Sequence, residues 1–175
     1  MKDIIQTIIE KISGERAVSG TPERVQKVFE ECFAGYSRDV KMVTYPAAMD
    51  QMVILSDIQC LSFCEHHCLP IIGHVSIGYV STGDVIGISK IARVVDLYAQ
   101  RFQLQERMTR EIAEHISTLS CVQGVGVYVK AQHFCMSYRG VKKSGSTLIT
   151  RFFAGIMKED VRLQDEFFRS LSCGQ

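Results

Sequence analysis

The chain has 175 residues, of which 46% are hydrophobic and 22% charged, and its net charge is +1. This composition is typical of one globular domain with a substantial core, and it provides no global field to attract nucleic acid or an anionic membrane. No apolar stretch approaches the roughly 20 residues that cross a bilayer. We expect a single domain over 1–175, with a helical N-terminal region (1–45) and a core (46–175), and no nucleic-acid or membrane partner.

Seven cysteines are present, which is an odd number. The segment Met1–Ile5 also lacks the apolar core and cleavage site of a signal peptide. Both observations favour reduced thiols over a disulfide framework, so we expect a cytoplasmic protein. Four cysteines have no motif around them and are interpreted as ordinary thiols: Cys32, Cys60, Cys121 and Cys173.

Two amphipathic helices are predicted at the N-terminus. Isoleucines between Ile4 and Ile12 share one face of the first helix, which is expected to end near Gly14. The second helix is expected to begin with Thr21 as N-cap and Pro22 at its first position, and to end at Gly35.

The apolar period then changes from helical to alternating. Two further helices are expected, one capped by Ser89 and one with an apolar face from Leu104 to Ile116. This order of elements predicts an α+β domain with a mainly antiparallel sheet. The sheet would be open, so we also expect oligomerisation through its edges. The extended segments and the last helix are predicted at 52–63, 71–80, 85–88, 125–135, 147–153 and 160–171.

A metal site is indicated by the run from Cys64 to Cys68 and by His133-Phe134-Cys135 about seventy residues later. Zinc prefers thiolate sulfur and imidazole nitrogen in tetrahedral geometry. Cys64 and His67 lie three apart, and a strand that continues through His133 would bring Cys135 to the same ion. Three protein ligands leave one position for water, as in a catalytic site. Two alternatives stay open: a set of Cys64, His67 and Cys68, and Cys68 as a fourth ligand that closes the site.

Three other clusters contain groups that suit a nucleotide. Lys90 and Arg93 follow Ser89 at a helix start, where an anion is favoured, although a solvated helix face would look the same. Arg139 opens a basic segment with Lys142 and Lys143, which is either a phosphate clamp or an ordinary basic loop. A carboxylate such as Glu106 accepts two hydrogen bonds from adjacent purine N–H groups, but it also suits a charged helix start.

Taken together, these segments resemble GTP cyclohydrolase I. The resemblance covers about residues 3–170. It is carried by Thr21-Pro22-Glu23-Arg24-Val25, Cys64-Glu65-His66-His67, Gly87 to Val95, Gln103-Leu104-Gln105-Glu106-Arg107, Gln132-His133-Phe134-Cys135 and Arg139-Gly140-Val141.

The resemblance implies a tunnel fold, in which several subunits close their sheets into a barrel, and a decamer of two pentamers with active sites at subunit interfaces. It implies hydrolysis of GTP at guanine C8 with release of formate, followed by rearrangement to 7,8-dihydroneopterin triphosphate for folate and pterin synthesis. The implied cofactor is Zn²⁺, with Cys64, His67 and Cys135 as ligands.

The resemblance also implies a role for each site residue. His133 would protonate the purine N7 side, His66 would transfer a proton at the ribose ring oxygen, and Ser89 would assist the sugar rearrangement. Gln105 and Glu106 would recognise the guanine edge, with Gln105 also counted among the catalytic residues. The triphosphate would be held by Lys90, Arg93 and Arg139, with Lys142 or Lys143 as helpers.

The chain departs from the family pattern at a few positions. Bulky residues 151–153 replace small ones and are expected to reshape the triphosphate pocket or a subunit contact. Gln132, Cys68 and Gly20 replace Glu, an apolar residue and an acidic residue. An alternative is therefore a paralogous zinc-dependent hydrolase that stops at a formylated pyrimidine or a cyclic-phosphate product. A non-catalytic metal-stabilised scaffold is disfavoured, because both spare histidines are retained.

Overall fold

The computed structural model describes residues 1–172, without the side chain of Met49. The predicted ordinary thiol Cys173 lies outside the described residues. The helices are α1 (Lys2–Ser13), α2 (Thr21–Cys32), α3 (Ile88–Ala99), α4 (Gln105–Ser117), α5 (Phe134–Ser137), α6 (Ile156–Glu159) and α7 (Val161–Ser172). The strands are β1 (Thr44–Met49), β2 (Met52–Cys64), β3 (Pro70–Ser81), β4 (Gly83–Ile86), β5 (Phe102–Gln103), β6 (Val122–His133) and β7 (Leu148–Gly155).

Five strands form the main sheet in the order β5-β2-β3-β6-β7, and β1 pairs with β4 in a separate ribbon. All pairs of the main sheet are antiparallel except the short β2–β5 pair. In the centre, Ile77 of β3 lies opposite Leu55 of β2 and Val127 of β6. The predicted α+β class and mainly antiparallel sheet are confirmed.

One face of the sheet packs against α3 and α4. Strand side chains alternate between faces, so Val75 and Ile77 point to the same side as Val127 and Val129, and all four are buried. They join one apolar cluster with the buried face of α4, which includes Ile112. This packing fixes the start of α4 beside the ends of β2 and β6.

The opposite face is covered in part by α7. Phe167 is fully buried on this side, next to Phe153 of β7. A Cβ at Gly78 would lie 2.7 Å from the Phe167 ring, so only glycine permits this close approach. The remainder of this face is lined by polar side chains such as His74 and Lys130, which are exposed.

The helix boundaries correct four expectations. Strand β6 ends at His133, and the next four residues form helix α5, so His133 and Cys135 do not share one strand. Helix α2 begins at Thr21 itself, with Gly20 as N-cap. Helix α3 begins at Ile88 after Gly87, so Ser89 lies within its first turn.

Gly35 is the fourth corrected position, because α2 ends at Cys32. Gly35 lies in a single 3₁₀ turn, Ala34–Tyr36, and is buried. A Cβ at this position would lie 2.4 Å from the carbonyl oxygen of Leu97. Glycine is therefore required here by the close approach of the end of α3. It does not end helix α2, which stops three residues earlier at Cys32.

The main sheet has two open edges within residues 1–172. β2 pairs with β5 only at Phe63 and Cys64, which leaves 52–61 without an outer neighbour. β7 has no partner on its outer side in the same part of the chain. An open edge is a template for another strand. In the described residues, no helix combines the length and apolar character needed to cross a membrane.

We predict that Phe167→Ala lowers the free energy of unfolding by about 3–5 kcal/mol, because a fully buried aromatic side chain leaves a cavity. Phe168→Ala is the matched control, since its neighbouring ring is only partly buried. Denaturant unfolding at one fixed protein concentration measures both variants. Equal losses for the two variants would contradict the assigned packing of α7.

Candidate functional site

The candidate metal loop, residues 64–68, follows directly from the end of β2. Cys64 is the last strand residue and is buried, and its N–H donates to Leu69 O at 2.9 Å. The carbonyl of Cys64 accepts the N–H of Cys68 at 2.8 Å and that of His67 at 3.3 Å. Cys68 adopts a positive φ of 55° to close this turn. The turn therefore aims the Cys64 and His67 side chains to the same side.

Cys64, His67 and Cys135 form the group that could hold a metal ion. Their ligand atoms all lie within 4.8 Å of one another. The Sγ atoms of Cys64 and Cys135 are 4.0 Å apart, and Cys64 Sγ lies 3.8 Å from His67 Nδ1. Tetrahedral zinc with Zn–S near 2.3 Å and Zn–N near 2.0 Å separates its ligands by about 3.6–3.8 Å. The three residues therefore fit zinc.

The chemistry of the two thiols supports the same conclusion. Burial, followed by the neighbouring Cys64, raises the pKa of the Cys135 thiol. Two thiolates this close repel each other, and a cation between them removes that penalty. His66 Nδ1 also lies 3.7 Å from Cys64 Sγ, but His66 and Cys68 are not part of the three-residue group.

A cavity of about 340 Å³ adjoins the metal group. It brings together residues from the metal loop, the start of α4, the end of β6 and the segment before β7. Glu106 is exposed at its wall, and its carboxylate acts on the pKa of His133. The lining residues are Cys64, His66, Gln103, Leu104, Gln105, Glu106, His133, Cys135, Met136, Ser146, Thr147 and Leu148.

Gln105 is fully buried and holds His133 in place. Its Nε2 donates to Val129 O, Leu148 O and Thr150 Oγ1 at 3.3, 3.1 and 3.0 Å. Carbonyl oxygens only accept, so the amide orientation is determined and Oε1 must face His133. His133 Nε2 lies 2.9 Å from that oxygen and must donate to it. The other ring nitrogen, Nδ1, then remains for a substrate.

Burial lowers the pKa of His133, and the Glu106 carboxylate opposes this shift. Burial is the larger of the two influences on this pKa, because a charged imidazolium loses hydration in the cavity wall. The nearby negative charge restores part of that loss. The net effect is a lowered pKa, so the neutral imidazole of His133 is favoured over the charged form more than it is in water.

A second set of contacts joins the metal loop to α4. Arg107 Nη2 donates to the carboxylate of Glu65 in a close ion pair, and Arg107 Nε donates to Gln103 Oε1 at 2.9 Å. The N–H of Glu65 also donates to Gln103 O at 3.1 Å. The sequence motifs include these residues, but their pairing was not predicted, because it depends on a contact over more than forty residues.

Four expected substrate residues do not line the cavity. Ser89, Lys90 and Arg93 lie in the first turns of α3, where Ser89 and Arg93 are exposed. Arg139 is exposed in the segment after α5. Of the predicted site residues, those that the structure brings together within residues 1–172 of one chain are Cys64, His66, His67, Gln105, Glu106, His133 and Cys135.

The bulky residues 151–153 also lie outside this cavity. Phe153 packs against the rings of Phe167 and Phe168, and the Arg151 guanidinium lies 5.7 Å from the centre of the Phe168 ring. Arg151 and Phe153 therefore lie on the α7 side of the sheet, whereas Phe152 lies opposite Val127 and packs against the core under α3 and α4. Arg151 and Phe152 line a neighbouring cleft together with Glu106 and Arg107, and their expected effect on the triphosphate pocket or a subunit contact stays a prediction.

Fold and site together define an α+β enzyme of the hydrolase class, with a Cys–His–Cys group beside a cavity that contains two further histidines and a carboxylate. A family model described as GTP cyclohydrolase I matches residues 1–172. The chain belongs to the GTP cyclohydrolase I family.

Curated relatives agree with this assignment. A protein of Coxiella burnetii named GTP cyclohydrolase 1 is 44% identical over 151 residues, which cover 84% of this chain and 82% of the relative. Proteins of the same name from Wolinella succinogenes and Clostridium perfringens are 40% and 39% identical, and the matches cover 95% and 98% of this chain and 93% and 94% of the relatives.

Among solved structures, the archaeosine synthase QueF-Like in its apo form is similar, with a TM-score of 0.50 and 22% identity. The match covers 60% of this chain and 94% of that chain. At this identity the likeness concerns the fold alone, and it confirms the expected tunnel-fold class. Closure of a barrel by further subunits stays a prediction.

We predict that the purified protein binds about one zinc ion per chain and that Cys135→Ala weakens zinc binding by more than about 100-fold. Loss of an outer partner of a metal ligand already costs 10- to 100-fold, so loss of the ligand itself costs more. Competition with a colorimetric chelator measures the affinity. Cys68→Ala is the matched control and should bind zinc normally; a similar loss in both variants would contradict the three-residue group.

Proposed function

We propose that this chain converts GTP to formate and 7,8-dihydroneopterin triphosphate, the first step of folate and pterin synthesis. One observation carries the proposal: the Cys64–His67–Cys135 group adjoins a cavity that also contains Glu106 and His133. Membership of the family supports the substrate and the product. The proposal extends to a single GTP cyclohydrolase I-like domain over 1–175 and to a cytoplasmic location, where the ligand thiols stay reduced.

Zn²⁺ is the proposed cofactor, because thiolate and imidazole donors at these separations suit its size and geometry. Bound by Cys64, His67 and Cys135, it would supply Lewis-acid activation of water for hydrolysis near neutral pH. His66 and His133 line the same cavity as the ligand residues Cys64 and Cys135.

The two spare histidines are proposed as proton carriers. Nε2 of His133 is occupied by Gln105, so His133 would deliver a proton through Nδ1 to the purine N7 side during ring opening. His66 lies across the same cavity and would exchange a proton with the ribose ring oxygen. Ser89 would assist the later sugar rearrangement.

Guanine recognition is assigned to Glu106. Its carboxylate would accept hydrogen bonds from the adjacent N1–H and N2–H groups of the purine. The resemblance implied the same task for Gln105, but the side-chain amide of Gln105 is already engaged by four partners within the chain. We therefore assign Gln105 to the positioning of His133.

A neighbouring subunit would complete the site. Ser89, Lys90 and Arg93 do not reach the cavity of their own chain, whereas the edges of β2 and β7 are open. Pairing of these edges between copies would close a barrel and bring α3 of one copy to the cavity of the next. Lys90, Arg93 and Arg139 would then hold the triphosphate. The proposed assembly is a decamer of two pentamers.

The proposal predicts equal amounts of formate and neopterin when zinc-loaded protein is incubated with GTP and the product is oxidised and dephosphorylated. Chromatography with fluorescence detection measures the neopterin. ATP is the control substrate, because its purine lacks the N–H pair that Glu106 would bind. Formate without neopterin would support the alternative of a hydrolase that stops at a formylated pyrimidine, and absence of both products would refute the proposal.

We predict that Gln105→Met lowers kcat by about 10- to 100-fold and changes KM by less than about threefold, because His133 loses the acceptor that orients it. Glu106→Gln should instead raise KM, since it removes a group that binds the base. Steady-state kinetics with GTP separates the two effects. A rise in KM without a fall in kcat for Gln105→Met would instead indicate that Gln105 binds the guanine edge.

A further inference from the structure

The side chain of Gln132 connects the end of β6 to the segment 138–147, which we name the basic loop. Its Nε2 donates to Ser144 O at 2.5 Å and to Ser137 Oγ at 3.0 Å. The hydroxyl of Ser137, which is buried, donates in turn to His133 O at 3.2 Å. Ser144 O is a carbonyl that only accepts, so the donor at this contact must be the amide nitrogen.

The basic loop has few other connections to the protein. Residues 139–149 are exposed, and two of them, Gly140 and Lys142, adopt positive φ angles. The N–H of Lys143 donates to Met136 O at 2.8 Å, near the start of the loop. Gln132 supplies the side-chain hydrogen bond that reaches residues 139–146 in the described structure. Its loss would leave Ser144 without a hydrogen bond to the sheet, between the backbone contact of Lys143 and the start of β7 at Leu148.

The position of the loop matters for two reasons. Its end forms one wall of the 340 Å³ cavity through Ser146 and Thr147. Its cationic groups, Arg139, Lys142 and Lys143, form no ion pair within residues 1–172 and are available to an anion. The hydrogen bond from Gln132 to Ser144 therefore lies between the cavity wall and the cationic side chains and acts on both.

We propose that Gln132 is a positioning residue whose neutral amide holds the basic loop in place for the phosphate end of the substrate. An amide meets two requirements at once. It donates to the Ser144 carbonyl, which a carboxylate cannot do, and it adds no negative charge near a polyphosphate. The assignment to a phosphate rests on the function proposed above, whereas the tether itself does not.

The first test is limited proteolysis by trypsin, which cleaves after lysine and arginine and therefore within the loop. Gln132→Met and Gln132→Glu are compared with the parent protein after zinc content and oligomeric state are matched. Loss of the tether should increase the initial cleavage rate after Arg139, Lys142 or Lys143 by about fivefold, because one hydrogen bond no longer opposes local opening. Cleavage rates in the loop that equal those of the parent would overturn the proposal.

Gln59→Glu is the matched charge control. Gln59 is exposed on β2 and lies opposite His74, on the same face of the sheet as Gln132. It adds the same negative charge without a contact to the basic loop. It should leave the cleavage rate in the loop unchanged; acceleration as large as that in Gln132→Glu would show that charge on this face, rather than the tether, protects the loop.

The second test is the steady-state kinetics of GTP hydrolysis. Both Gln132 variants should raise KM by at least about threefold and change kcat less, and Gln132→Glu should have the larger effect, which should weaken at high salt. A fall in kcat with an unchanged KM would overturn the positioning role. Should the parent protein not turn over GTP, the proposed function fails, but the proteolysis experiment still decides whether Gln132 tethers the loop.

Discussion

The register of β3 against its two neighbours determines where the proposed metal ligands meet. Pro70 lies opposite Phe63 at the end of β2, and Ile71 lies opposite His133 at the end of β6. Two strands that are distant in sequence therefore end at the same place, on either side of the start of β3. A slip of one residue would turn every side chain to the other face, so the buried face of the sheet protects this register. The position of the site therefore depends on burial of the sheet face that forms the core.

Helix α5 places Cys135 beside the end of β2, where it completes the candidate ligand group. His133 still belongs to β6 and contacts the buried amide of Gln105, while Cys135 belongs to the helical turn and approaches Cys64. A continuous strand would send residues 133 and 135 to the same face. The change of backbone at residue 134 allows one residue to face the metal group and the other to face the cavity from the side of α4.

Much of this arrangement follows from local patterns in the sequence. Alternation of apolar residues predicts β3 and most of β2 and β6, and helical spacing predicts α4, because each signal reflects burial of one face. Positions decided by a distant partner are different. Gly35 is constrained by a carbonyl of α3, and the amide of Gln105 by two carbonyls and a hydroxyl from β6 and the start of β7. Such contacts exist only after the chain has folded, so residue types and spacing cannot reveal them.

The ion pair between Glu65 and Arg107 has a thermodynamic consequence. Arg107 follows Glu106 in α4, and Glu65 follows the proposed metal ligand Cys64. The carboxylate that we propose for recognition of the base and the residue that we propose as an ion ligand are thus joined through one ion pair of neighbouring side chains. If occupancy of either site shifts this link, the affinity of the other site must change by the same factor, whichever is filled first. The nucleotide would then change the affinity for the metal, and the metal would change the affinity for the nucleotide by the same factor.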